Sequence, residues 1–264
     1  MPIEHLSPST LQSYRTCGRQ VYFSKILGIE NPSHYAMTSY GSAMHRAIEV
    51  LYKEKLSKEK YVEAFEKEWE RLSKNVNVWK NDSYEYLLDE GRKACDDFYD
   101  NVYGKYDIDL VEAKFNINRG EGLFPILCFA DAITKDGVII DYKFGRGLSG
   151  MADSKSYACN MATYAWAYKD KYEKFPTKIV LIKEKWKKYK DQDTGKYMFR
   201  HDSFVIDEQE ITQQELFDKI EFYKNVYDNV ETGIQAGVFL PAVDDSFLCS
   251  SCGYRIMGLC KKGV

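Results

Sequence analysis

Hydrophobic residues recur at helical spacing through the N-terminal part of this 264-residue chain. Ser7 followed by Pro8 is typical of a helix N-cap with proline in the first turn, so we expect a helix to begin there. The spacing predicts a second helix over 39–56 and two charged helices over 58–74 and 83–103. The N-terminal part of the chain is therefore predicted to be helical.

The pattern changes to the alternation of β-strands after Tyr106. Three strands are predicted over 107–118, 123–134 and 138–143, and the last two are joined by the hairpin signal Lys135-Asp136-Gly137. The remaining predicted elements are a helix over 154–172, strands over 177–187 and 197–206, and a helix over 208–233. This order of elements indicates an α/β domain with a mixed sheet.

The composition is that of an ordinary globular protein, with 44% hydrophobic and 29% charged residues. No apolar run reaches the ~18 residues of a membrane span, and the N-terminus lacks the features of a secretory signal. We therefore expect a cytoplasmic protein without a membrane partner. We interpret residues 1–264 as a single domain, with a helical elaboration over about 58–105 and a C-terminal tail over about 237–264.

The net charge of −3 gives no support to nucleic-acid binding, which usually accompanies a basic balance. An acidic total can still hide a local basic patch. It does not exclude a nuclease either, because such an enzyme needs carboxylates to hold a metal ion that faces the phosphate.

Two acids and a lysine lie on the predicted hairpin. Asp141 and Lys143 are two apart on the third strand and share a face. If the hairpin is centred on Asp136, Asp131 lies directly opposite Asp141, with Cβ atoms about 5 Å apart. Carboxylates that close indicate a divalent cation such as Mg²⁺ or Mn²⁺, with Lys143 beside it, and thus metal-assisted hydrolysis of a phosphodiester. A structural salt bridge between Asp141 and Lys143 is the alternative.

The seven cysteines are distributed unevenly. Cys249 and Cys252 form a short chelating pair, Cys260 follows, and Cys17 completes a set of four thiolates if the chain ends meet. Both zinc and an iron–sulfur cluster accept four thiolates, so the residues alone do not choose between them. An exposed, reduced tail is the third alternative. The other cysteines fit buried packing positions: Cys95, Cys128 and Cys159.

The segments 129–133 (Phe-Ala-Asp-Ala-Ile) and 138–145 (Val-Ile-Ile-Asp-Tyr-Lys-Phe-Gly) resemble the core of RecB-like nucleases of the PD-(D/E)XK superfamily. The resemblance implies a restriction-endonuclease-like core, in which a mixed central sheet has the order αβββαβ. It also implies that Asp131 and Asp141 bind a divalent metal and that Lys143 is catalytic. The family usually has a glycine where this sequence has Cys128.

Two further segments match this family. Residues 41–45 (Gly-Ser-Ala-Met-His) resemble the helix that supplies a histidine ligand, which implies that His45 binds the metal. Asn160 and Tyr164 match an amide and a tyrosine at a spacing of four, which places them on one helical face. The resemblance implies that both belong to the catalytic site, where they contact DNA phosphate or order the site. Asn160 replaces the usual glutamine and has a shorter reach. Glu112 matches an acid that some relatives place near the metal, and we expect it outside the metal's ligand set.

The four terminal cysteines resemble those of family members with an iron–sulfur staple. The resemblance implies a four-iron four-sulfur cluster held by Cys17, Cys249, Cys252 and Cys260, which joins the two ends of the chain. The spacing of the last two cysteines is longer here than is usual in the family. We expect a structural role for the cluster.

The resemblance implies a metal-dependent DNA exonuclease acting on single-stranded ends. The sequence has no glycine-rich phosphate loop that ends in Gly-Lys-Ser/Thr, so no helicase activity is indicated. Two kinds of relative fit: phage or bacterial recombination and repair exonucleases, and CRISPR-associated nucleases that trim spacers, each with corresponding protein partners. The alternatives from other classes are a non-catalytic nucleic-acid-binding scaffold and a zinc-stabilised regulatory protein.

Overall fold

A five-stranded mixed sheet forms the centre of the fold. The computed structural model describes residues 3–146, 155–190, 192, 195–209, 211–242, 249 and 252–260. The strands lie side by side in chain order. They are β1 (Ile108–Ile117), β2 (Ile126–Thr134), β3 (Val138–Lys143), β4 (Lys178–Lys190) and β5 (Tyr197–Gln209).

Helices precede, interrupt and follow the strands. The first helix begins at Pro8 with Ser7 as its N-cap, as predicted. The helices are α1 (Pro8–Thr16), α2 (Gly18–Val21) with a π-helical turn (Tyr22–Ile26), α3 (Ala36–Glu54), α4 (Lys58–Ser73), α5 (Tyr84–Asn101), α6 (Lys155–Tyr172), α7 (Gln213–Gln235) and α8 (Gly253–Ile256). The predicted α/β class and mixed sheet are confirmed. No described helix is long and apolar enough to cross a membrane.

The register of the central hairpin is the one that the sequence predicts. Ala132 pairs with Ile140 and Ile133 with Ile139, so the hairpin is centred on Asp136. The remaining antiparallel neighbours are β1 with β2 and β4 with β5. β3 and β4 are parallel, which requires a crossover, and α6 supplies it.

The two faces of the sheet are covered by different helices. The amphipathic helices α3, α4 and α5 pack on one face, where their aromatic residues form a buried cluster with Ile140 and Tyr142. Helices α6 and α7 pack on the other face, against residues that include Ile139 and Leu181. α1 also contacts α6 and α7. Because β3 is covered on both sides, it is buried along nearly its whole length.

β4 and β5 extend past the other strands as a two-stranded ribbon. β3 pairs with β4 only as far as Lys183, whereas β4 and β5 stay paired up to Lys190 and Tyr197. We call residues 184–190 and 197–204 the β4–β5 ribbon. It continues in the direction in which β3 ends.

Candidate active site

The end of β3 carries an aspartate and a lysine that are held together. Only 1% of the Asp141 side chain is exposed, and its carboxylate forms an ion pair with the Lys143 ammonium. Burial raises the pKa of Asp141 to about 6; the Lys143 charge opposes this rise and Asp131 adds to it. A carboxylate in such surroundings is stabilised by any cation that reaches it.

Lys143 keeps its proton in this environment. Burial favours the neutral amine, but the carboxylates of Asp141 and Asp131 outweigh burial and raise the lysine pKa. Its Nζ also lies 3.3 Å from the carbonyl oxygen of Tyr142, to which it donates. The side chain retains 20% exposure, so the ammonium can meet a phosphate that enters from solvent.

Both strands of the β1–β2 hairpin change face at Glu112 and Asp131, which are opposite each other in the register. Ala132 packs toward α3–α5, whereas Ala130 packs toward α6, although residues two apart in a regular strand share a face. Glu112 has a φ of +49°, a conformation that residues other than glycine rarely adopt. The kink takes both carboxylates out of the regular alternation and places them beside α3.

His45 meets these carboxylates from α3. Its Nδ1 lies 3.6 Å from Oδ1 of Asp131, and its ring packs edge-on against Phe144. The other carboxylate oxygen of Asp131 accepts a hydrogen bond from the backbone N–H of Tyr142 at 2.6 Å. Burial and then the charge of Lys143 lower the pKa of His45 to about 4, although Asp141 opposes them. The imidazole is therefore neutral and can offer a lone pair to a metal.

The resulting group of donors fits a divalent cation. One ligand atom from each of His45, Glu112 and Asp131 lies within 4.8 Å of the others. Carboxylates suit Mg²⁺ and Mn²⁺, and an imidazole among them favours Mn²⁺ over the strictly oxygen-seeking Mg²⁺. Burial, followed by the charges of Asp131 and Glu49, raises the pKa of Glu112 to about 7. Glu112, expected only near the metal, therefore lies in the group itself.

The two residues predicted on α6 have different surroundings. Tyr164 is buried, and burial together with the charges of Asp141 and Asp131 raises its pKa well above 10, so its hydroxyl keeps its proton. Asn160 accepts a hydrogen bond from Nε2 of Gln12 at 2.9 Å. Its amide thus connects α6 to α1, and the catalytic role predicted for it stays a prediction.

A cleft of about 420 Å³ opens next to this group. Its wall includes the first turns of α3 and the segment that leaves β3. The backbone N–H of Gly145 donates to the buried Glu184 at 3.0 Å, and Glu184 also contacts Nδ1 of His201 at 3.1 Å. This network, which sequence reasoning missed, fixes the chain just beyond Lys143.

The ends of the chain meet, as the predicted cysteine set requires. Nη1 of Arg19 lies 3.7 Å from Sγ of Cys260, and the hydroxyl of Tyr254 donates to the carbonyl oxygen of Ile29 at 3.1 Å. All four predicted cysteines are partly exposed. Among the described residues, however, no three of them have sulfur atoms within 4.8 Å of one another. A single tetrahedral zinc ion would require sulfur atoms about 3.8 Å apart, so no preformed zinc site of this kind is present there.

The chain belongs to the PD-(D/E)XK nuclease superfamily, whose family model matches residues 5–258. Its motifs are consistent with the RecB-like branch. A search of curated proteins gives no match.

A solved structure shares the fold. A protein from Eubacterium rectale provisionally named an exonuclease is similar to this chain with a TM-score of 0.57 and 13% identity, over 99% of this chain and 91% of that one. A structure named SSO0001 matches over 97% of this chain and 96% of that one, with 13% identity and a TM-score of only 0.34. At 13% identity, the likeness to the Eubacterium rectale protein concerns the fold alone.

Proposed function

We propose that this protein is a divalent-metal-dependent deoxyribonuclease that removes nucleotides from single-stranded DNA ends during recombination, repair or related DNA processing. The observation that carries the proposal is the group of His45, Glu112 and Asp131 beside the Asp141–Lys143 ion pair. The family supplies the reaction class. The provisional name of the Eubacterium rectale protein favours exonuclease action over internal cleavage.

Each residue of the site has a role that follows from its surroundings. His45, Asp131 and Glu112 would hold Mn²⁺ or Mg²⁺, with Asp141 as a further ligand. When bound, the cation would polarise the phosphate and lower the pKa of a water molecule. Lys143, which keeps its proton, would stabilise the negative charge that develops on the phosphate.

The assay is cleavage of end-labelled single-stranded DNA by the anaerobically purified protein with Mg²⁺ or Mn²⁺. Asp141→Asn and Lys143→Gln preserve side-chain size, and each is expected to abolish metal-dependent cleavage. Lys114→Gln is the matched control, because Lys114 also follows an acid by two residues but is exposed on β1; it should cleave like the unmodified protein. Release of mononucleotides or short products from one labelled end indicates exonuclease action.

Absence of cleavage by the folded protein with both metals and on single-stranded and duplex DNA would contradict the proposal. It would favour the non-catalytic scaffold instead. Internal cuts with no dependence on a free end would retain the nuclease and contradict the exonuclease assignment. Cleavage that stops after a fixed number of nucleotides would favour the CRISPR-associated trimming role over recombination.

We also propose that Cys17, Cys249, Cys252 and Cys260 hold a four-iron four-sulfur cluster that joins the chain ends. One feature supports it: the ends of the chain already contact each other. The anaerobically purified protein should be brown and contain iron and sulfide. Cys252→Ser should lose the colour, whereas Cys95→Ser, which changes a buried thiol, should keep it. A colourless protein that contains zinc would contradict this assignment.

A further inference from the structure

The β4–β5 ribbon concentrates positive charge in a chain whose net charge is −3. The ribbon, residues 184–190 and 197–204, contains five lysines and arginines but only two acids, and one of these acids, Glu184, is buried. Tyrosines alternate with the cations and form cation–π contacts with them. The Arg200 guanidinium lies 5.5 Å from the centre of the Tyr189 ring, and Nζ of Lys188 lies 4.2 Å from the centre of the Tyr197 ring. Cations interleaved with aromatic rings are the combination that binds the backbone and bases of a single strand.

The pairing places one face of this ribbon in line with the active site. Lys143 of β3 is paired with Lys183 of β4, and paired residues project to the same face of a sheet. Lys185, Lys187 and Tyr189 follow on β4 at intervals of two and therefore continue that face. Arg200 of β5, which pairs with Lys187, lies on the same face. We call the face formed by Lys185, Lys187, Tyr189 and Arg200 the catalytic face of the ribbon. A strand that lies along it leads directly to Lys143.

Two cations on this face repel each other. Lys187 is paired directly with Arg200, and both side chains are exposed. Directly opposed like charges destabilise an antiparallel pair. Among the residues that the structure describes, Lys187 forms no direct ion pair. Its charge helps to lower the pKa of Asp202 from a distance, but Asp202 pairs directly with Lys185, at 3.2 Å. An anion between the two strands would relieve this repulsion, and a DNA phosphate is the anion that the proposed function supplies.

The length of the ribbon matches several nucleotides. From Lys183 to Lys190 the chain advances about 20–25 Å at ~3.3 Å per residue. The phosphates of one strand are ~3.4 Å apart along a duplex and farther apart in an extended strand. The ribbon can therefore contact about three to six phosphates beyond the one at the metal.

We propose that the catalytic face of the β4–β5 ribbon binds the sugar–phosphate backbone of single-stranded DNA and leads it to the active site. This inference rests on the proposed nuclease function for the choice of DNA. Lys187 and Arg200 contact phosphates, and Tyr189 stacks on a base. These residues contact the DNA at a distance from the reacting atoms, so they are positioning residues.

The test is equilibrium binding of a fluorescent 20-nucleotide single strand in EDTA, at several salt concentrations, with the full chain. Each phosphate contact contributes about 0.7 to the slope of log affinity against log salt for single strands. Lys187→Gln/Arg200→Gln should therefore lower the slope by about 1.4 and weaken binding at 0.15 M salt by about tenfold. It should not lower the thermal unfolding midpoint, because it removes a repulsion.

The matched control is Lys188→Gln/Lys190→Gln, which removes the same charge from the opposite face of the same ribbon. It should change the slope by less than half as much. An equal effect of both pairs would overturn the assignment to the catalytic face, and an unchanged slope for Lys187→Gln/Arg200→Gln would overturn the proposal. So would tighter binding of duplex than of single-stranded DNA, or no binding of single-stranded DNA by the unmodified protein.

A second readout separates this inference from the nuclease function. With Mn²⁺, Lys187→Gln/Arg200→Gln should raise the KM for a 20-nucleotide strand several-fold and leave the KM for a trinucleotide unchanged. If the protein binds DNA through this face but never cleaves it, the nuclease proposal fails and the ribbon proposal stands. If cleavage occurs and long and short strands respond equally to the variant, the ribbon proposal fails and the nuclease stands.

Discussion

Replacing Glu112 by glutamine should stabilise the metal-free protein and remove most of its stabilisation by metal. The Glu112 carboxylate has its pKa raised from 4.5 to about 7, mainly by burial and secondly by Asp131. The folded state therefore disfavours the ionised form. The cost is absent below about pH 4.5, grows as the pH rises, and is complete above about pH 7.

The magnitude follows from the size of this rise. At ~1.4 kcal/mol for each tenfold change in acidity, a pKa raised from 4.5 to about 7 corresponds to about 3 kcal/mol. Glu112 is only half-buried, and solvent screening reduces the cost to about 1–2 kcal/mol. Glutamine has nearly the same shape and no charge, so Glu112→Gln should gain this free energy of unfolding at pH 8 and nothing at pH 4.

The assay is urea unfolding at pH 4 and pH 8, in EDTA and with Mn²⁺. A metal present at a hundred times its Kd stabilises the folded state by about 2.7 kcal/mol, and Glu112→Gln should lose most of this increment. Glu68→Gln is the control, because Glu68 forms an ion pair with Arg71. The hydrogen bond from Arg71 lowers the pKa of Glu68, although burial opposes it, so this variant should show no gain at pH 8. A loss of stability in Glu112→Gln at pH 8 without metal, or an undiminished response to Mn²⁺, would refute the reasoning.

Three other predictions concern buried groups elsewhere in the fold. Glu184→Gln should lower the free energy of unfolding by about 3 kcal/mol, because Glu184 accepts three hydrogen bonds that weaken when its charge is lost. Urea unfolding of the variant and the unmodified protein measures this difference. Burial opposes ionisation of His201, but Glu184 and Asp97 outweigh burial and raise its pKa. The stability that protonated His201 contributes is therefore complete below about pH 6.5 and is lost as the pH rises through the raised pKa. Glu184→Gln should reduce this pH dependence of the free energy of unfolding, and an unchanged pH profile would contradict the prediction. Arg119→Ala should cost about 3–5 kcal/mol, because it leaves Glu231, which is 2% exposed, without its cation; a loss below 1 kcal/mol would contradict this.

Much of the fold was predictable because its strands have sharp local signals. The segment 138–143 was predicted as a strand and is β3, since its apolar start, Val-Ile-Ile, follows the Gly137 turn and Gly145 comes soon after its end. The Lys135-Asp136-Gly137 turn fixed the register with β2, because a tight hairpin leaves few alternative pairings. Local chemistry therefore specified the geometry that places Asp131 near Asp141.

The ends of β4 and β5 were less predictable. The ribbon alternates lysines with aromatic residues on both faces, so no consistently apolar row marks it as a strand. The two strand ends are held by hydrogen bonds to each other, and the local sequence of either segment does not reveal this pairing. The same cause displaced the start of the last helix: β5 runs to Gln209, and α7 begins only after the capping box of Thr212 and Glu215, a signal that the sequence does contain.

Of the candidate site, the shared face of Asp141 and Lys143 followed from the alternation along β3, whereas the kink at Glu112 and Asp131 could not be predicted from it. In a regular strand, side chains alternate between the two faces of the sheet, so the faces of Glu112 and Ala130 would follow from those of neighbouring residues. The positive φ of Glu112 interrupts that alternation, and a glutamate carries no sequence mark for such a conformation, unlike a glycine. The resemblance to the family offered Glu112 as a nearby acid, and only the three-dimensional kink places it within 4.8 Å of His45 and Asp131.

The net charge does not report on nucleic-acid binding, because it sums charges that lie too far apart in the molecule to interact with each other. At physiological salt, exposed charges are screened beyond about 8 Å. The acids of α4 and α5 lie in the helical layer that covers one face of the sheet, whereas the cations of residues 185–190 and Arg200 lie on a ribbon that extends beyond β3. A phosphate on the catalytic face of the ribbon responds to the nearby cations, so a chain with a net charge of −3 can still bind DNA with the salt dependence of a basic protein.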